Sequence, residues 1–307
     1  MSDDGCRASG GMGDRAVAAM IGATPAMGAG GAVTTSGGAR RRAVAASLVV
    51  LSLPIAATVG FVPQRSAASW IQAAVGVVAT VLVLALAPRR GRSASPWRLL
   101  GVGLGVWSAG FVAVAYSSGH DPASAPIPTF ADAPRITGLV IIGAAVLLIA
   151  QERGRRRNWI AHIDAVVAGV GVALALTIVA WPRIVAADLS PEGVWVTDLS
   201  LVLAGAVAGT AVRLGVTRAW SLASGRFLVE GTLVLVAGGV LVRSAQLQQT
   251  AVELDRIGMG LLTIGPLLMA AAAMHPSAVR ITDREHRSAH ELSRTRLALL
   301  VASTAAG

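Results

Sequence analysis

The stretch RRRNWIAHIDAVVAG, Arg155 to Gly169, decides how this chain is read. Three arginines, a tryptophan, a histidine and an aspartate stand at the threshold of an apolar run. As a reactive site, it would need His162 and Asp164 to act together. Two residues apart on a helix is a rotation of about 200 degrees, so the two side chains point to opposite faces and form no dyad. As a membrane threshold, most of the stretch has a role. Arginines hold a loop on the cytoplasmic side, Trp159 sits in the headgroup layer, and the apolar run enters the hydrocarbon.

Working outward, the composition agrees. Of 307 residues, 54% are hydrophobic and 14% charged, and the mean hydropathy is +0.66, which is too apolar for a soluble globule. The net charge of +10 comes entirely from arginine, in short clusters between apolar runs. That spacing suits membrane topology better than a groove for phosphates, so nucleic acid is not an expected partner and the lipid bilayer is. Cys6 is the single cysteine, which excludes a disulfide framework and a thiolate metal site.

Windows of about 19 residues, enough to cross the hydrocarbon core, give apolar runs near 44–62, 70–87, 99–116, 137–150, 160–181, 194–212, 227–242 and 257–274. A ninth begins after Arg296 and is cut off at Gly307. The expected fold is therefore all-α, a polytopic transmembrane bundle of eight complete spans and a truncated ninth. Its parts are a disordered cytoplasmic tail over 1–43, the helical domain over 44–279, a charged cytoplasmic connector over 280–296, and the stump over 297–307. With the N-terminus inside, all but five of the 26 arginines fall in cytoplasmic segments. The exceptions are Arg65, Arg135, Arg183, Arg243 and Arg256, and every inside segment holds more arginine than its neighbours, as the positive-inside rule requires. Trp70, Trp97, Trp159, Trp181 and Trp195 fall at or beside span ends. Gly205 and Gly209 make a small-xxx-small pair on the sixth span, which lets backbones approach closely.

Ionisable residues within spans are the candidates for function. Asp164 lies roughly 10 Å along the helix axis from Arg157, shallow enough for a pair with an arginine of the cytoplasmic loops. Asp198 opens the sixth span. Glu230 follows Arg226 by four residues, a spacing that favours an ion pair on one helix face. Pro54 and Pro266 interrupt spans without an ionisable companion, which weakens a transport reading. The chain has no H-E-x-x-H, no P-loop and no G-x-S-x-G. His286 and His290 share a helix spacing, but in a charged connector where a solvated helix is the commoner outcome. No metal, no cofactor and no catalytic residue is expected.

Several stretches, in order, resemble the N-terminal membrane-sensing region of actinobacterial GGDEF and EAL proteins, the enzymes that make and break cyclic di-GMP. They are WSAGFVAVAY (107–116) followed by PIPTFADA (126–133), WIAHIDA (159–165), VWVTDLSLVLAG (194–205) and AAAAMHPSAV (270–279). Trp107, Tyr116, Pro126, Pro128, Thr129, Ala131 and Asp132 carry the first. Trp159, Asp164 and Ala165 carry the second, Asp198 the third, and His275, Pro276 and Ser277 the last. Val242 and Arg243 depart from the pattern, standing where that family often has an acidic residue. The resemblance implies a signal-input module of the cell membrane, which senses a small molecule, the membrane state or a partner and passes a helix displacement to a cytoplasmic output domain. It implies a fragment of such a protein, without its catalytic domain and so not an enzyme. A homodimer through the bundle is an expected assembly. Asp132 and Asp198 are the residues expected to shape an extracytoplasmic pocket. Asp164 and His275 are expected at the cytoplasmic side, with the His275-Pro276 break ending the eighth helix. The alternative is a small-molecule transporter or permease subunit.

Overall fold

A computed structural model describes residues 32–62, 65–86, 94–118, 129–152, 159–216, 218–248 and 252–282. Eight long helices account for most of them: α1 (Ala32–Phe61), α2 (Arg65–Leu86), α3 (Ala94–Ser118), α4 (Asp132–Glu152), α5 (Trp159–Ala186), α6 (Pro191–Val216), α7 (Ala223–Gln248) and α8 (Val252–Met274). A 3₁₀ turn (Arg218–Ser221) precedes α7, and a short helix, α9 (Ala278–Thr282), follows α8. There is no strand among the described residues. All eight long helices are long and apolar enough to cross a membrane. The chain is a multi-pass helical membrane protein.

Each helix runs past the apolar run that announces it at one end or both, because polar residues can continue the helix beyond the hydrocarbon. The entry to α6 shows how. Ser190 accepts the Gly193 N–H at 3.2 Å, Pro191 takes the first helical position where its missing N–H costs nothing, and Glu192 faces the positive dipole end. Just before it, Asp188 adopts the left-handed conformation, φ 46°, which closes the tight connection from α5 and which aspartate tolerates better than most residues. α1 starts at Ala32, within the segment expected as a disordered tail; Ala39–Ala46, alanine and arginine for the most part, are good helix formers. Pro54, Pro182 and Pro266 lie inside continuous helices.

Within the compact unit that starts at Ala39, α8 is central. Of its span, 83% is buried, against 22% for α1 and for α5. Lipid gives helices no hydrophobic reason to associate, so close approach through small residues carries much of the packing. Between α7 and α8 the approach is backbone to backbone. A Cβ on Gly231 would lie 2.9 Å from the Gly265 carbonyl oxygen, and one on Gly238 would lie 2.8 Å from the Leu262 nitrogen. Gly205 does the same for α6 on α5, 2.5 Å from the Ala173 nitrogen. Around these contacts Trp97, Leu100, Leu104, Phe111, Ile142, Ile149, Leu228 and Met269 fill the core.

Contacts between helix ends sort the bundle into two rims. Gly60 of α1 meets Arg256 of α8, Gln72 of α2 bonds Met259 of α8, and Asp132 of α4 bonds Arg243 of α7. At the opposite rim Ser224 of α7 bonds Ser277. The first rim carries Arg65, Arg135, Arg183, Arg243 and Arg256, and the second carries Arg40, Arg41, Arg42, Arg98, Arg213, Arg218, Arg226 and Arg280. They are the arginine-poor and arginine-rich rims below.

Candidate functional site

A buried ion pair joins α4 to α7 at the arginine-poor rim. Its construction begins in the T-F-A-D turn that opens α4. The Asp132 N–H donates to the Thr129 carbonyl at 3.0 Å. The Thr129 N–H and hydroxyl donate back to Asp132 Oδ2 at 2.9 and 3.2 Å, a variant of the capping box. With one carboxylate oxygen so occupied, the other receives Arg243 Nη2 at 3.0 Å, and the side chains are only 7% (Asp132) and 11% (Arg243) exposed. Arg243 Nη1 donates to Gln246 Oε1 at a long 3.4 Å. One turn into α4, Arg135 lies over the Phe111 ring, 5.0 Å from its centroid, and Phe111 meets Trp107 edge-on at 4.6 Å. Gly110 leaves room for the Arg135 stem, which a Cβ there would strike.

Behind the pair is a cavity of about 80 Å³, lined by residues that include Asp132, Arg243, Gln246, Ser200, Leu201 and Leu235. It admits water or a small ion and is well below the roughly 300–1,000 Å³ of a drug-sized ligand site. Asp198, in the second turn of α6, is not among its lining residues. Its Oδ1 is buried with no hydrogen-bond partner among the described residues, as is the hydroxyl of the fully buried Thr197.

At the arginine-rich rim, α8 ends at Met274, immediately before His275-Pro276. The Ser277 N–H donates to His275 Nδ1 at 3.2 Å, so that nitrogen is the unprotonated one. The Ser277 hydroxyl then donates to the same Nδ1 at 2.8 Å and accepts both the hydroxyl and the N–H of Ser224, at 2.8 and 3.1 Å. Ser277 thus caps the first turn of α7 from the end of α8. Phe227 meets the imidazole edge-on, ring centroids 6.3 Å apart. Burial, then the Arg42 charge, hold His275 below its usual 6.5.

Asp132, Asp198 and His275 do not converge. Asp132 is joined to Arg243, Asp198 stands apart on α6, and His275 belongs to the other rim. Asp164 lies on α5, but its side chain and that of His162 lie outside the described residues, as do Pro126, Pro128, His286, His290 and the stump over 297–307. The ion pair expected between Arg226 and Glu230 is not formed: Arg226 Nε donates instead to the Trp220 carbonyl at 2.8 Å, an acceptor that the 3₁₀ turn brings beside it. Sequence reading missed Arg243 as a partner of Asp132, although it stands directly after a long apolar run, LVLVAGGVLV. Among the described residues no group of three or more His, Cys, Asp or Glu is placed to hold a metal ion.

No protein-family model, no curated protein and no solved structure matches the chain.

Proposed function

We propose that this chain is a signal-input module of the cell membrane, with its N-terminus in the cytoplasm and the arginine-poor rim outside. The observation that carries the reading is the buried Asp132–Arg243 pair, set on the same helix that Ser277 caps at the opposite rim. α7 and α8, packed backbone to backbone through Gly231, Gly238 and Gly265, form a strut between the two. A change at the ion pair, by a small ion entering the cavity or by a partner's charge, displaces the strut. His275-Pro276-Ser277, at its other end, leads directly into the connector at 280–296. The likeness of WSAGFVAVAY, PIPTFADA and AAAAMHPSAV to the sensing region of GGDEF and EAL proteins supplies the class of output. No G-G-D-E-F stands in these 307 residues, and the role proposed for them is input.

The test is a distance measurement across the arginine-rich rim. In the Cys6→Ser chain, spin labels at Arg98→Cys and Val279→Cys are read by double electron-electron resonance in lipid nanodiscs, with and without Asp132→Asn. The expected result is a displaced distance distribution, by about 1–2 Å or more, the scale of helix shifts in switching proteins. Superimposable distributions in a variant that keeps its helical circular dichroism would sink the reading.

A further inference from the structure

We infer that the groove between α5 and α6 is a binding site for one acyl chain of an anionic phospholipid, in the leaflet on the arginine-rich side. The groove has a volume of about 330 Å³, within the range of true ligand sites. Gly169, Ala173 and Ala206 are small residues along it, and Leu147, Leu174 and Val202 are its larger walls. The small residues exist because the backbones nearly touch there, with a Cβ on Gly169 only 3.2 Å from the Ala206 Cα. Thr210, also in the lining, spends its hydroxyl on the Val207 carbonyl at 2.7 Å and so presents little polarity. Along α5 the lining runs from Val166 to Thr177, roughly 17 Å at the helical rise. That is close to the depth of one leaflet, half of a hydrocarbon core about 30 Å thick.

The charge decides the occupant. Arg213, in the last turn of α6, closes the groove at the end that belongs to the arginine-rich rim. An acyl chain laid along the groove brings its headgroup phosphate to that guanidinium, the arrangement that basic pockets between membrane helices offer to anionic lipids.

The test uses the Cys6→Ser chain in nanodiscs of phosphatidylcholine doped with a phosphatidylglycerol that carries a photoactivatable diazirine in its acyl chain, with the matching phosphatidylcholine probe as control. After cleavage at arginine, labelling is expected to concentrate on the peptides Asn158–Arg183 and Ile184–Arg213, with phosphatidylglycerol favoured roughly fivefold, the effect of one arginine near a lipid surface. Arg213→Gln should abolish that preference while leaving the chain in place. Ala206→Phe should remove the labelling by either probe. Labelling spread evenly over all spans overturns the proposal, as does an unchanged preference in Arg213→Gln. So does efficient disulfide dimerisation through Leu174→Cys that excludes both probes.

Discussion

Exchanging Arg243 for glutamine leaves the Asp132 carboxylate buried beside a neutral partner. Removing one member of a buried pair typically costs about 3–5 kcal/mol, so the melting temperature of Arg243→Gln in detergent should fall steeply. Adding Asp132→Asn removes the stranded charge, and the double variant should be more stable than the sum of the single losses implies. Strictly additive losses would show that the two groups do not interact. At the other rim His275 titrates in the opposite sense from a salt-bridged histidine. Its folded-state pKa is lowered, so above 6.5 both states are neutral and nothing is lost, while below 6.5 the unfolded state takes up the proton first and stability falls. Melting temperature should decline from pH 7 toward pH 5, and His275→Gln should flatten that part of the curve; an unaltered slope would remove His275 from the account. Asp132 and His275 entered as candidates through the resemblance of PIPTFADA and AAAAMHPSAV, and the His275-Pro276 break was legible because proline ends a helix. The partners were not. Arg243 is 111 positions from Asp132 and Ser224 is 53 from Ser277, and no local period encodes a contact over such a separation.

At the scale of elements, neighbouring glycines on α7 have opposite fates. Gly238 presses on α8, where a Cβ would meet the Gly258 carbonyl oxygen at 2.9 Å, whereas a Cβ on Gly239 meets nothing within 4 Å. Gly238→Ala should therefore destabilise the bundle by about 1–3 kcal/mol through overpacking. Gly239→Ala should be neutral or stabilise it by up to about 1 kcal/mol, since glycine is the costlier residue inside a helix. Graded detergent unfolding of the two variants reads both, and equal effects would mean that the α7–α8 contact is not close. The helices themselves were legible, all eight of them, because length and hydropathy suffice to mark a span. Their ends were less so: Ser190, Pro191 and Thr129 extend helices by capping, which hydropathy does not register. The Gly205 contact with α5 was foreshadowed by the Gly205/Gly209 spacing, but which neighbour it met was not.

For the whole molecule, the proposed orientation makes a prediction of its own. In Cys6→Ser chains expressed in intact cells, a membrane-impermeant maleimide should label Asp188→Cys directly and Trp220→Cys only after the membrane is permeabilised. The reverse pattern would invert the topology and with it the assignment of outside to the Asp132 rim. The centrality of α8 bears on how the molecule comes into being. Synthesis delivers α1 to α7 to the membrane before α8, the most buried of the spans. Until it arrives, the buried Gln72 amide lacks the Met259 carbonyl that it bonds at 2.8 Å, Gly231 and Gly238 face no partner, and Ser224 waits for its cap. The contacts of α8 with α2 and α7 are thus the last of the bundle to form, and until then the groups that they satisfy stay open to whatever else the membrane offers.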